Sequence, residues 1–235
     1  MIKENKYNYA MNDLFWLTND KLLNHFGESE IRCILAYGSR LENYNLVDRF
    51  SDYDITVVFK KMPSYQTSIP SIQEVNLTIL IEDEIEKYGI QNFILDNHGV
   101  FYLYRLASAK TLWGENTFAG ALKRIPVDLL NESLKKQIII HCWKVQNITL
   151  MQTERKLRDI RKYSLRIAQN IFFLENGIDY FLFKQKNAQE LMIILGKNDF
   201  LNDHQTYIQD VLTLRVSINE VFKFIDSVKN FIIRH

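Results

Sequence analysis

Cysteine is nearly absent. Cys33 and Cys142 are the only two in 235 residues, and each stands inside an apolar segment. That spacing excludes a disulfide framework and a cysteine metal cluster, and leaves two small buried residues in a reducing compartment. A charge excess is missing too, with 29 basic residues against 28 acidic ones. Non-specific nucleic-acid binding rests on clustered Lys and Arg, so the balance argues against a nucleic-acid partner. No run of eighteen apolar residues occurs, and Met1-Ile2-Lys3-Glu4-Asn5-Lys6 is polar with no apolar stretch behind it. Neither a membrane span nor a secretory signal is expected, and a cytoplasmic location follows as the simplest expectation. Internal repeats and low-complexity linkers are lacking, so the parts of the chain are expected to pack closely. Aromatic residues are plentiful, with 15 Phe and 12 Tyr, which suits well-filled cores. The length allows one large or two modest domains.

Two regimes follow one another along the chain. Met11, Leu14, Phe15, Leu22 and Phe26 recur at helical spacing, with Gly27 placed to cap the helix. Strands are expected at about 31–37, 54–60 and 75–81. Glu82-Asp83-Glu84 opens a helix, its acids complementing the macrodipole. An aromatic helical segment covers 92–109 and ends in a turn at Leu112-Trp113-Gly114-Glu115. After Pro126 the pattern is helical throughout. Leu130, Leu134, Ile138, His141, Val145 and Ile148 keep one rhythm, and Leu157, Ile160, Ser164, Ile167, Ile171 and Leu174 keep a second, stopped by Gly177. A shorter helix at about 188–195 and a long one from 205 to 233 complete four helices, read as an antiparallel bundle.

The chemistry concentrates in residues 35–55. Gly38-Ser39-Arg40 ends one apolar run, and Asp52-Tyr53-Asp54 opens the next. Side chains alternate across a strand, so Asp52 and Asp54 share a face and Tyr53 turns away. Two adjacent carboxylates repel unless a cation neutralises them, and hard oxygen ligands suit Mg²⁺. Gly38 lets the backbone approach a phosphate, while Ser39 offers an N–H and a hydroxyl. A phosphate turn facing paired carboxylates suggests phosphoryl or nucleotidyl transfer. Ser39 is a phosphate ligand here and not a nucleophile, since no Ser-His-Asp set surrounds it.

This arrangement resembles the nucleotidyltransferase superfamily, the polymerase-beta-like fold. Its signature is Gly-Ser, a spacer near a dozen residues, and Asp-x-Asp among apolar residues. The likeness covers roughly 31–115, and the layout as a whole is similar to the aminoglycoside nucleotidyltransferases. It implies an α+β fold: a mixed sheet with flanking helices over 1–118, then an all-α bundle over 119–235 that walls the substrate cleft. It implies that Asp52 and Asp54 hold two Mg²⁺ ions, and that Gly38, Ser39 and Arg40 meet the phosphates of ATP or another nucleoside triphosphate. The acceptor would be a hydroxyl of a small molecule, such as an antibiotic of the aminoglycoside class. The superfamily supplies a third carboxylate from the next strand, and Asn76 stands where that acid is expected. Glu74, one pleat away on the same face, is the candidate substitute.

Alternatives from other classes remain. A protein-modifying nucleotidyltransferase of toxin–antitoxin type is one, although here the helical part is fused and lacks the Arg-x4-6-His motif of the partner ribonucleases. A degenerate nucleotide-binding protein is another, made credible by Asn76. Arg155, Arg158, Lys162 and Arg166 project opposite the apolar face of their helix and read as its solvated back, with Arg161 nearer the edge. His141, Trp143 and the Phe172-Phe173 pair read as core.

Overall fold

The structure is a computed structural model that describes residues 5–38, 53–63, 75–85, 89, 99–121, 125–152, 155–183 and 186–234, with the side chains of 5–14, 119, 180 and 181 left aside. The chain divides into two compact units, Met1–Ile125 and Pro126–His235.

In the first unit helix α1 (Asn5–Phe26) leads into strand β1 (Ile31–Tyr37), with β2 (Tyr53–Phe59) and β3 (Val75–Ile81) following. Gly27 ends α1 at φ +86°, its N–H bonded 2.8 Å from the Leu23 carbonyl, so it acts as the C-cap the sequence suggested. Residues 82–85 form a helical turn after β3. Helix α2 (Gly99–Ala107), strand β4 (Lys110–Gly114) and a 3₁₀ turn (Thr117–Gly120) complete the unit.

The sheet is mixed, in the order β3-β2-β1-β4. β1 pairs antiparallel with both β2 and β4, and β2 pairs parallel with β3. Strand alternation sorts its side chains. Ile34 and Ala36 of β1 and Tyr53, Ile55, Val57 and Phe59 of β2 join Phe15 and Leu22 of α1 in one buried core. Burial of such a side chain contributes about 1.5–3 kcal/mol. Val75, Leu77 and Ile79 of β3 pack against the same core. The opposite face carries Tyr37, Asp54, Thr56, Asn76 and Thr78, and α2 packs on it through Tyr102. The expected turn at Leu112-Trp113-Gly114 is instead part of β4, a short edge strand. Only a register against β1 reveals it (Ile34 opposite Trp113, Cys33 opposite Gly114).

The second unit is all helical: α3 (Val127–Leu150), α4 (Lys156–Asn176), α5 (Ala188–Leu195), α6 (Asp199–Asp203), α7 (Gln205–Leu212) and α8 (Ile218–Arg234). α3 and α4 pack along their lengths through Leu134, Ile138, Val145, Ile160, Ile167 and Ile171. Ser164 of α4 and Tyr207 of α7 share a buried hydrogen bond of 2.7 Å. Tyr207 stacks on Phe224 of α8, ring centroids 4.2 Å apart. The long helix expected over 205–233 is two helices. Thr213 turns its hydroxyl back onto the Gln209 carbonyl, and Leu214 sits at φ +59°. Ser217 and Glu220 then restart the chain as a reciprocal capping box. Apolar rhythm continued across this break, which is why periodicity alone missed it.

Phe172 and Phe173 are core, as is His141, which lies beside the Tyr163 ring. Trp143 is not core; it is 65% exposed, because the inward stripe of α3 runs through Leu134, Ile138, Cys142 and Val145. Both cysteines are buried and unpaired with each other, and burial pushes each thiol up to about 12. Neither is therefore expected to react with a thiol-alkylating reagent at neutral pH until the chain unfolds, as mass measurement of the alkylated protein would record. Among the described residues no helix is long and apolar enough to cross a membrane.

Candidate functional site

The site is built at one end of the sheet, where β1 finishes and β2 and β3 begin. Tyr37 is the register partner of Asp54, and Asp54 is in turn the partner of Asn76. Three neighbouring strands thus bring Gly38, Asp54 and Asn76 together from positions 16 to 38 residues apart in sequence. Asn76 donates its side-chain N–H to Asp54 Oδ1 at 2.9 Å. The other oxygen, Oδ2, faces the backbone of Gly38, where a Cβ would collide with it. Gly38 also sits at φ +100°, in the region that L side chains rarely adopt.

Two requirements therefore meet at Gly38, the turn and the carboxylate. Gly38→Ala is expected to cost about 1–3 kcal/mol through the strained backbone alone. It should also push Asp54 off its present position. Urea denaturation would read the first effect, and a crystal structure of the variant the second.

One pleat from Asp54 on the same face lies a knot of hydroxyls. Tyr37 and Thr56 are 2.9 Å apart, Thr56 and Tyr102 are 2.8 Å apart, and Tyr37 donates to Tyr102 at 3.4 Å. Thr78 bonds the same Tyr102 hydroxyl. Burial, with Tyr37 beside it, pushes the Tyr102 phenol well above its ordinary range, so it stays neutral and serves as a hydrogen-bonding post. The knot ties α2 to β1, β2 and β3, and holds rigid the strand ends that carry Asp54 and Asn76. Sequence reasoning missed it. Alternation places Tyr37, Thr56 and Thr78 on one face each, but only the register puts those faces together.

Of the other sequence-derived site residues, Ser39, Arg40, Asp52 and Glu74 lie outside the described residues. Among the described residues no group of three His, Cys, Asp or Glu is placed to hold a metal ion. The donors that are described fit Mg²⁺ in kind: Asp54 Oδ2 and the amide oxygen of Asn76 are both hard. Asn76 brings no negative charge, so any further charge must come from other carboxylates.

No protein-family model and no curated protein matches the sequence. Solved structures do. The chain is similar to the spectinomycin adenyltransferase of Enterococcus faecialis, solved with ATP and spectinomycin. The identity is 13% and the TM-score 0.57, over 94% of this chain and 99% of that one. A nucleotidyltransferase-like protein from Exiguobacterium sibiricum aligns at 11% identity over 94% of this chain and 75% of that one, with a TM-score of 0.36 too low to carry an argument. The fold thus resembles that of the spectinomycin adenyltransferase, a mixed sheet flanked by helices followed by a helical bundle.

Proposed function

We propose that the chain is a Mg²⁺-dependent nucleotidyltransferase that moves a nucleoside monophosphate, AMP from ATP by default, onto a hydroxyl of a small molecule. The acceptor suggested by the likeness to the spectinomycin enzyme is an aminoglycoside-like antibiotic. One observation carries this reading: a glycine turn at the end of β1 is pressed against the Asp54 carboxylate, in a nucleotidyltransferase-like fold. Asp52 and Asp54 are the proposed metal ligands, with two ions between them. Gly38, Ser39 and Arg40 are the proposed phosphate ligands, and Glu74 the third acid.

Gly38 contributes absence of bulk, which lets a phosphate reach the backbone amides at the turn. Asp54 contributes a carboxylate whose Oδ1 is occupied by Asn76, so that Oδ2 is presented in one direction. Bound Mg²⁺ would neutralise charge on the transferring group and ease loss of the acceptor's proton. The remaining work is alignment of the acceptor hydroxyl with the α-phosphorus, for which a rigid sheet end is the right support.

The neutral Asn76 beside Asp54 also favours a second reading, a nucleotide-binding protein without turnover. Two measurements separate the readings. A nucleotide that raises the melting temperature only with Mg²⁺ supports the site. Pyrophosphate released on addition of a hydroxylated acceptor supports transfer over binding alone.

A further inference from the structure

The helical unit buries two amide side chains with unpartnered atoms, both on one flank of the seam between α3 and α4. Asn170 of α4 is fully buried, and neither its Oδ1 nor its Nδ2 has a hydrogen-bond partner in the protein. Gln137 of α3 is 6% exposed, and its Nε2 is unpartnered as well. Their level along the seam follows from His141 and Tyr163, whose ring centroids lie 5.5 Å apart. α3 ends at Leu150, α4 begins at Lys156, and the two pack along their lengths, so they run antiparallel. Gln137 lies one turn from His141 towards the start of α3, and Asn170 two turns from Tyr163 towards the end of α4. Both steps lead the same way, and the two amides end within about 5 Å of each other in height. Spacings of four and seven residues keep each amide on the flank that carries its ring. Leu134, Ile138, Ile167 and Ile171, all fully buried, fill the seam beside them.

Burying an amide is costly unless its donors and acceptors are bound. The open atoms define what would bind them. Asn170 offers a donor and an acceptor side by side, and so complements a ligand edge that carries an acceptor beside a donor. Heterocyclic bases present that edge, as in the ring nitrogen and exocyclic amine of adenine. Gln137 Nε2 adds a further donor, for another ring nitrogen or a carbonyl. A seam walled by packed aliphatic side chains admits a flat ligand and not a puckered one. Tyr163 and His141, on the same flank, supply rings on which a base can stack. Lys144 and Arg166 lie over the Tyr163 ring at 5.2 and 5.7 Å and are only half-buried, so Arg166 is not on the solvated back that its projection suggests. Movement of the flexible Lys144 stem opens the flank to a ligand.

We propose that Asn170 and Gln137 form a site for the hydrogen-bonding edge of a purine base, held flat against the α3–α4 seam. The proposal concerns the helical unit alone. It goes beyond nucleotidyl transfer, because neither a phosphate nor a metal ion takes part in it.

Calorimetry on the full chain in EDTA tests it, with adenosine and guanosine as probes. Purine riboside, which lacks the exocyclic groups, is the control. Saturable binding of adenosine or guanosine is expected, with purine riboside about tenfold weaker or more. Preference for adenosine would identify the edge as an amine beside a ring nitrogen, and preference for guanosine as a carbonyl beside a ring N–H. Asn170→Leu and Gln137→Met should each weaken binding of the preferred nucleoside about tenfold or more. Asn170→Leu should also raise the melting temperature of the unliganded chain, since it removes a buried amide without partners. Absence of saturable binding of both nucleosides overturns the proposal. So does purine riboside that binds as tightly as the preferred nucleoside, or undiminished binding in Asn170→Leu, which would put the base elsewhere. A lower melting temperature for Asn170→Leu, or its failure to fold, overturns it too, because the amide would then serve the fold itself.

Discussion

Asp54→Asn is expected to abolish Mg²⁺-dependent transfer, by at least about a thousandfold, while the chain stays folded. The substitution removes one ligand charge and almost no volume. The asparagine can still accept the bond that Asn76 donates to Oδ1, so the strand pairing Tyr37–Asp54–Asn76 has no reason to open. Stability should change by no more than about 1 kcal/mol, as for most substitutions that create no cavity and strand no partner. Loss of a group that stabilises transition-state charge costs ~10²–10³ in rate, and loss of a metal-binding charge adds to it. Steady-state kinetics beside a urea melt would separate the two readouts. Turnover within a few-fold of the parent would remove Asp54 from the site.

The second large effect concerns the missing acid. Glu74→Gln is expected to lower turnover by ~10²–10⁴, the usual contribution of general-base assistance, because Glu74 is the proposed third acid. Asn76→Asp is the complementary variant. It sets a second carboxylate beside Asp54 at the same register position, so without Mg²⁺ the pair should repel and the melting temperature should fall. With Mg²⁺ the loss should be recovered, and the size of that recovery measures how close the cation comes to the pair. If Asn76→Asp raises turnover and Glu74→Gln leaves it unchanged, the base belongs at position 76 and the natural chain runs without one there. No turnover in any of these variants, alongside clear nucleotide binding, favours the binding protein.

How much of this was legible beforehand differs from element to element. β1 and β2 could be read because each is a mainly apolar run buried along most of its length, and β3, half-buried at the end of the described sheet, because Val75, Leu77 and Ile79 alternate with Asn76 and Thr78. Asn76 is expected at the third-acid position from the resemblance alone; its place opposite Asp54 comes from the register of β2 and β3, which run parallel with no bulge from Tyr53 opposite Val75 to Phe59 opposite Ile81. β4 could not, since five residues at a sheet edge, two of them Lys110 and Thr111, carry no alternation strong enough to outweigh the helical segment before them. The break at Thr213–Ser217 depended on hydroxyl and capping chemistry, while the apolar rhythm runs on through it. Trp143 reads as core from its aromatic type, but it lies off the inward stripe of Leu134, Ile138, Cys142 and Val145 on α3. The hydroxyl knot around Tyr102 is a tertiary fact. It joins residues from separate elements whose register no single-sequence pattern encodes.

The destination of a labelled phosphorus tests the central claim most directly. The chain is incubated with Mg²⁺, a panel of hydroxylated small molecules that includes aminoglycoside-class antibiotics, and ATP labelled at either the α- or the γ-phosphorus. Nucleotidyl transfer predicts that the α-label appears on an acceptor in step with unlabelled pyrophosphate, that the γ-label leaves entirely in pyrophosphate, and that Asp54→Asn gives neither. Transfer of the γ-label to an acceptor, or no transfer of either label across the panel while ATP demonstrably binds, would contradict it.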